Sequence, residues 1–383
     1  MKRALIVGTG GIAQAHAVAY SEPDISAQAQ LAAVVDVDRD RAAAFAEQFG
    51  SPRIYTDLNQ ALTAETPDLV HVCTPPGVHA EQSVAALRAG AWVLCEKPLC
   101  ASLRELDEVR RAEEETGRFC TTVFQWRFGS GMQHVKRQID AGVFGKPLVG
   151  VCNTLWYRDH AYYDVPWRGK WSTELGGPTM GHGIHIMDSF LWLMGEWTEV
   201  TAKVGTLDRD IEVEDVSMAI VRFASGAMAT IVNSVLSPRQ ETYLRLDFQR
   251  ATVEATGLYS VGNADWRWTA APRVIDMGAI GSRGADGAEP ADAESAEDVA
   301  ARTQVEWSRI GPEVAASHTE QIRALYRDMA NGSRPLTSGN EARKTISFLT
   351  AIYKSAFSGA TVKAGEITEN DPFYASLNGR AGR

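Results

Sequence analysis

A glycine-rich turn close to the start of the chain constrains the fold more than any other feature. Gly8, Gly10 and Ala13 form the pattern G-x-G-x-x-A, between a short apolar run and an alanine-rich segment. Glycine permits a tight turn and lets backbone N–H groups approach a pyrophosphate, which the positive end of a following helix also attracts. The pattern predicts a strand, a turn and a helix that hold a dinucleotide, with Gly11 and Ile12 among the contacts. A turn packed by glycines for structural reasons alone is the alternative.

The first domain, predicted over residues 1–124, alternates strand and helix signals. Its short apolar runs predict strands at Ala4–Val7, Leu31–Val35, Leu69–Cys73, Trp92–Cys95 and Cys120–Phe124. Helical segments separate these runs, and several of them end at a glycine. This rhythm predicts a doubly wound parallel sheet, whose ligands bind at the carboxyl ends of the strands.

The second domain, predicted over residues 125–383, has a different pattern. Apolar residues alternate in Leu148–Trp156, Glu199–Thr206, Val216–Phe223, Ala227–Val235, Tyr243–Phe248 and Ala251–Thr256. A period of two residues predicts a mostly antiparallel sheet with one covered face. Helices are predicted at His182–Met194, Val314–Asn331 and Asn340–Ser358. The stretch Gly281–Ala300 has no apolar period, and a mobile surface excursion is expected there.

The residues that follow the second and third strands indicate the cofactor. Asp36 ends the second strand, where a carboxylate can bind both ribose hydroxyls and would repel a 2′-phosphate, so NAD is favoured over NADP. Arg39 leaves NADP open, because it could reach a 2′-phosphate. Thr74, Pro75 and His79 follow the third strand and are expected at the ribose or the substrate edge. A rigid turn that caps a helix is the alternative for these three.

Glu96-Lys97-Pro98 follows the fourth strand and offers an acid–base group. A lysine buried in the crevice would have a lowered pKa, which suits proton transfer to or from a carbinol oxygen. Glu96 would orient Lys97 or touch the nicotinamide ribose. The alternative is a surface ion pair.

His182-x-x-His185 places two imidazoles on one face of a predicted helix. Histidine carries protons near neutral pH, and an unperturbed imidazole titrates near about 6.5, so near-neutral proton transfer is expected at His182. Structural histidines at a helix start are the alternative. A zinc site needs a third ligand, which is not evident in the sequence, so no metal is predicted.

Aromatic and cationic side chains in loop sequence complete the predicted site. Tryptophan stacks on sugar or nicotinamide rings, and arginine binds oxyanions. The expected cofactor contacts here are Gln125, Trp167 and Arg168. The expected substrate contacts, besides the two histidines, are Arg127, Tyr157, His160 and Lys170. A neutral sugar is favoured over an anionic one, and packing between domains or subunits is the structural alternative.

Charge and composition exclude several classes of partner. A net charge of -10 argues against nucleic acid, because phosphate binding needs a basic face. No apolar run approaches the roughly 20 residues of a membrane helix, so no membrane partner is expected. The five cysteines are an odd number with no CxxC pair, which predicts reduced thiols in a cytoplasmic protein.

Together these motifs resemble those of the glucose–fructose oxidoreductase / inositol dehydrogenase / MocA family. The resemblance covers nearly the whole chain, in the right order. It implies an N-terminal Rossmann domain and a C-terminal α+β domain with a large open, mostly antiparallel sheet. It also implies that the last helices, at about 340–360, pack back on the first domain. A homodimer or homotetramer formed through the open sheet is implied as well.

One position departs from the family's pattern. The family often has an aspartate four residues before the histidine that matches His185, but this chain has Gly181 there. A proton relay of Lys97, His182 and His185 is our hypothesis in its place. The resemblance implies NAD-dependent hydride transfer on a small carbohydrate: a sugar, cyclitol or related polyol. The alternative is an oxidoreductive glycosidase with tightly bound NAD, since such enzymes of the same superfamily also carry a histidine–glycine step here.

Overall fold

Six parallel strands form the first sheet. The computed structural model describes residues 1–271, 301, 304–305 and 307–380, so the predicted excursion at Gly281–Ala300 lies outside the described residues. The strands are β1 (Lys2–Val7), β2 (Ala29–Val35), β3 (Arg53–Tyr55), β4 (Leu69–Val72), β5 (Trp92–Cys95) and β6 (Cys120–Thr122). Their order is β3-β2-β1-β4-β5-β6, and all neighbours are parallel. This order confirms the doubly wound sheet and leaves a crevice at the carboxyl ends of β1 and β4.

Short helices connect the strands of this sheet. They are α1 (Gly11–Ala17), α2 (Pro23–Ser26), α3 (Arg39–Gln48), α4 (Leu58–Glu65), α5 (His79–Arg88) and α6 (Leu103–Thr116). The sequence analysis missed β3 and α4. β3 is a three-residue edge strand with no fully buried side chain, so it carries no apolar signal.

Eight strands form the second sheet. They are β7 (Pro147–Tyr157), β8 (Trp197–Gly205), β9 (Val216–Phe223), β10 (Met228–Ser234), β11 (Leu236–Phe248), β12 (Ala251–Gly257), β13 (Trp266–Ala270) and β14 (Val362–Lys363). The order is β13-β12-β11-β7-β10-β9-β8-β14, and β7 and β10 are the parallel neighbours among antiparallel ones. Side chains of β9 alternate between buried and exposed. The mostly antiparallel sheet with one covered face is therefore confirmed.

Helices of the second half join the two sheets. They are α7 (Ser130–Asp140), α8 (Ile184–Met194), α9 (His318–Asn331), α10 (Asn340–Ser358) and α11 (Pro372–Ala375). From α10, Ile346 packs in the core of the first sheet, while Phe348 packs in the core of the second. From α9, Leu325 packs against Leu69 of β4 and its neighbours. None of the helices in the described ranges has the length and hydropathy of a membrane span.

Candidate active site

A cleft of about 1090 Å³ lies at the carboxyl ends of the first sheet. It is lined by all of the predicted cofactor contacts and by both predicted catalytic histidines: Gly8, Gly10, Gly11, Ile12, Asp36, Thr74, Pro75, His79, Glu96, Lys97, Gln125, Trp167, Arg168, His182 and His185. The last four lie more than 40 residues from the strands of the first sheet. The fold thus gathers three distant motifs into one space.

The β1–α1 turn has the shape that a pyrophosphate requires. Gly8 has φ of 84°, and a Cβ there would lie 2.8 Å from the carbonyl oxygen of Cys73. Only glycine fits this position. A Cβ at Gly10 or Gly11 would meet no protein atom within 4 Å, although both residues line the cleft. The turn therefore leaves open space beside the helix N-terminus for a dinucleotide.

Asp36 fastens this turn to the second strand. Its Oδ2 accepts hydrogen bonds from the Thr9 backbone N–H at 2.9 Å and the Thr9 hydroxyl at 2.8 Å, and Oδ1 accepts one from the Asp38 N–H. Burial raises the pKa of Asp36, but these donors outweigh it and hold the pKa below its ordinary value. A carboxylate has about four acceptor sites, so capacity remains for ribose hydroxyls. The nearby cation is Arg41, 3.3 Å from Oδ1, and not Arg39.

His79 braces two loops of the cleft. Its ring nitrogens each lie 2.7 Å from a carbonyl oxygen, one of Pro98 and one of Thr74. The Thr74 hydroxyl donates to the Gln82 side chain at 2.7 Å. Both side chains line the cleft, but their polar atoms are engaged within the protein, which favours the reading as a rigid turn.

Glu96 sits at the end of a buried hydrogen-bond network that the sequence analysis missed. Its Oε1 lies 3.0 Å from Nε2 of His16 and 3.0 Å from Nε2 of His318. Burial raises the pKa of Glu96, but these imidazoles outweigh it and hold the pKa well below its ordinary value. The network continues from His16 Nδ1 to His71 Nδ1 at 2.9 Å and from His71 Nε2 to the Tyr20 hydroxyl at 2.6 Å. An ionised Glu96 sets the direction: Tyr20 donates to His71, His71 to His16, and His16 to Glu96.

The same three groups have the composition of a metal site. Across the described ranges, His16, Glu96 and His318 are the group whose ligand atoms cluster within 4.8 Å. Separations of 3.0 Å are those of hydrogen bonds, and neutral imidazoles donating to one carboxylate satisfy the atoms involved. The arrangement can hold a proton network without an ion.

Lys97 lies next to the unusual glycine. Its Nζ donates to the carbonyl oxygen of Gly181 at 2.8 Å. Burial lowers the pKa of Lys97 below its ordinary value, while the charges of Glu96 and Glu174 oppose that shift. The lowered pKa is the shift expected from the sequence for a lysine in the crevice.

Glu174 supplies a carboxylate beside Gly181, and the sequence analysis missed it. A Cβ on Gly181 would lie 3.7 Å from Glu174 Oε1. The Glu174 side chain is buried in the cleft wall and accepts a hydrogen bond from the Gly169 N–H at 2.6 Å. Burial raises its pKa, against the opposing charges of Arg168 and Lys97. The carboxylate therefore reaches the region of the missing family aspartate from a different point in the chain.

His182 and His185 are both buried in the cleft wall and neutral in character. Burial, followed by the charge of Lys97, lowers the pKa of each well below its ordinary value. The His182 ring packs edge-on against Trp156 at 5.1 Å, and its Nε2 lies 3.3 Å from the Tyr162 hydroxyl. In the described part of the chain, Nδ1 of each histidine is buried without a hydrogen-bond partner. Unpaired buried polar atoms of this kind mark functional positions.

Four predicted substrate contacts lie outside the cleft. Arg127 is fully buried and forms a bidentate pair with Asp188, at 2.6 and 2.7 Å, so it is a structural cation and the expectation was wrong. Tyr157, His160 and Lys170 are exposed and do not line the cleft. These three stand on loop or strand-end positions whose side chains point elsewhere, which sequence spacing does not reveal.

The fold and this cleft define a class of protein: an enzyme that binds a dinucleotide on a Rossmann sheet and presents acid–base groups beside it. Family models agree with that class. One described as an oxidoreductase family with an NAD-binding Rossmann fold matches residues 2–124, and the GFO/IDH/MocA C-terminal domain matches residues 132–258. The chain therefore belongs to the GFO/IDH/MocA oxidoreductase family, and its cofactor is NAD.

Relatives cover the chain almost from end to end. D-apiose dehydrogenase of Paraburkholderia graminis is 27% identical over 99% of this chain and 94% of its own length. Myo-inositol 2-dehydrogenase of Thermotoga maritima is 29% identical over 60% of this chain and 67% of its own. The WlbA dehydrogenase of Chromobacterium violaceum, solved with NADH and UDP-GlcNAcA, is 26% identical, with a TM-score of 0.78 over 96% of this chain and 97% of that one.

Proposed function

We propose that this protein is an NAD-dependent dehydrogenase of a sugar, cyclitol or related polyol. The observation that carries the proposal is the meeting of Lys97, Glu174, His182 and His185 in the cleft that also holds the β1–α1 turn. When bound, NAD supplies the hydride acceptor. The chain supplies binding, orientation and the handling of one proton.

The proposed proton path begins at Lys97. Its lowered pKa lets the amine accept the proton of a substrate hydroxyl as the carbinol carbon is oxidised. Glu174 stabilises the resulting ammonium. His182 and His185 stay neutral, and the substrate hydroxyls supply partners for their unpaired ring nitrogens.

Relatives support a carbohydrate substrate. The three reported above are named as dehydrogenases, two of them for D-apiose and myo-inositol, and the third was solved with UDP-GlcNAcA. An oxidoreductive glycosidase is not favoured, since these names describe dehydrogenases. The buried cysteines, all of them free thiols, support a cytoplasmic location, which we propose as well.

The test is reduction of NAD by purified protein across a panel of sugars, cyclitols and polyols, followed through NADH absorbance. We expect turnover with at least one polyol, and a loss of about two or more orders of magnitude in Lys97→Met. Isothermal titration of NAD into the variant serves as the folding control. Near-normal turnover in Lys97→Met would overturn the assignment, and release of an aglycone without NADH would favour the glycosidase.

We also propose a division near residue 124 and an oligomer formed through the second sheet. The outer face of that sheet exposes Val149 of β7, Met218 and Ile220 of β9, and Met228 of β10, each about half exposed. Apolar patches of this kind are typical of interfaces. Light scattering should give a dimer or tetramer, and Ile220→Lys should reduce the mass to a monomer. A monomeric wild-type protein would contradict the proposal.

A further inference from the structure

One wall of the cleft holds an arginine in an aromatic cage. Arg158 follows β7, and its guanidinium carbon lies 5.2 Å from the ring centres of Trp156 and Tyr162 and 5.7 Å from that of Tyr259. All four side chains line the cleft. Cation–π contacts hold a guanidinium in place without neutralising it, because aromatic rings carry no net charge.

Arg158 has no acidic counterpart. Its Nη1 donates to the Tyr157 carbonyl oxygen at 2.8 Å and to the Tyr259 hydroxyl at 3.3 Å, both neutral acceptors. Its Nε is buried without a partner. Within the ranges that the structure describes, no carboxylate oxygen comes within 4 Å of it, whereas Arg168 in the same cleft lies 3.4 Å from Glu174.

The surroundings add to this positive charge. Burial first, and then the charges of Lys97, Arg158 and Arg168, hold the pKa of the adjacent His182 well below its ordinary value. Glu174 is the carboxylate that faces these cations, and it already pairs with Arg168. This part of the cleft therefore has a fixed cation that nothing in the described protein neutralises.

We propose that Arg158 binds an oxyanion on the substrate, a carboxylate or a phosphate, so that the preferred substrate is an acidic derivative of a sugar. The proposal rests on the proposed function. A guanidinium suits either group, because its planar N–H donors match two oxygens at once. It also corrects the expectation of a neutral sugar: of the cations considered from sequence, Arg127 and Lys170 lie outside the cleft, and Arg158 takes their place.

The experiment measures binding, so it does not depend on turnover. Protein saturated with NADH is titrated calorimetrically with D-glucose, D-glucuronate and D-glucose 6-phosphate, and with the matching galactose series. We expect one acidic member to bind at least about tenfold more tightly than its neutral parent, as charge-assisted hydrogen bonds allow. The preference should shrink as salt rises. The carboxylate and phosphate arms identify which oxyanion is recognised.

Variants locate the effect. Arg158→Met should abolish the preference, and Arg158→Lys should keep part of it, because the charge remains while the planar fork is lost. Arg239→Met, which removes an exposed arginine paired with Glu241, is the matched control and should leave the preference intact. Unchanged NADH affinity shows that each variant is folded.

Three results would overturn the proposal: equal or tighter binding of the neutral sugars, no binding of any acidic member, or an unchanged preference in Arg158→Met. Failure of the proposed function looks different. In that case acidic sugars bind through Arg158, but no polyol in the panel, acidic or neutral, reduces NAD.

Discussion

At the scale of single residues, the most instructive position is Gly181. The sequence analysis assigned the missing carboxylate's work to His182, its neighbour in the chain. In the folded protein Glu174 Oε1 lies 3.7 Å from where a Cβ on Gly181 would stand. We infer that a carboxylate seven residues upstream substitutes for one at position 181.

The Glu174 inference predicts the sign of a pH shift. The charge of Glu174 raises the pKa of Lys97 against burial, so Glu174→Gln should lower that pKa. If Lys97 must be deprotonated to accept the hydroxyl proton, the rising limb of kcat/KM for oxidation moves to lower pH in the variant. Profiles of both proteins over the alkaline range measure it. A limb that stays in place, or moves to higher pH, would contradict the role.

His182 should not titrate near neutrality, contrary to the expectation from sequence. Burial and the cations around it lower its pKa, so the neutral imidazole persists as pH falls and is lost only well below 6.5. We expect wild-type kcat/KM to have no His182-dependent limb near 6.5. His182→Asn should reduce turnover without altering the profile in that range. A near-neutral limb that disappears in His182→Asn would refute this assignment.

At the scale of elements, the β1–α1 turn separates two uses of glycine. Gly8 is required by its φ of 84° and by the carbonyl oxygen that a Cβ would strike. Gly10 has φ of -73°, which any residue adopts, and its Cβ direction is open. Gly8 is therefore needed by the protein itself, and Gly10 by the ligand's close approach.

The two alanine variants of this turn should differ. Gly8→Ala should lower the free energy of unfolding of the cofactor-free protein by about 1–3 kcal/mol, the range for a strained backbone. Gly10→Ala should leave that free energy almost unchanged and weaken NAD by about tenfold or more, since tenfold corresponds to about 1.4 kcal/mol. Urea unfolding and calorimetry measure the two effects. Equal destabilisation by both variants would disprove the distinction.

At the scale of the whole molecule, a buried charge network ties distant segments together. Arg127 pairs with Asp188 of α8 and with Glu341 of α10 at 2.6 Å, and the Thr345 hydroxyl donates to Asp188 at 2.8 Å. Because α10 packs against both sheets, this network links the carboxyl end of the chain to the helix that follows the catalytic turn.

Breaking the network should cost stability and leave the cleft intact. Arg127→Met strands the Asp188 carboxylate in a buried position, and we expect about 3–5 kcal/mol lower free energy of unfolding. The double variant Arg127→Met/Asp188→Leu should recover much of that loss, because no charge remains unpaired. Urea unfolding compares the two, and NAD affinity checks the cleft. A large loss of NAD affinity in folded Arg127→Met would place Arg127 in the site after all.

By itself, the sequence determined the dinucleotide turn, the parallel sheet and the alternating second sheet. These signals are local: a glycine's backbone freedom, the period of apolar residues, and the residue that directly follows a strand. Tertiary structure alone decided which charges face the cleft. Arg158 and Glu174 line it while Arg127 and Lys170 do not, because the direction of a side chain depends on packing partners far away in sequence. The His16–Glu96–His318 network was hidden for the same reason, since its members are separated by 80 and 222 residues.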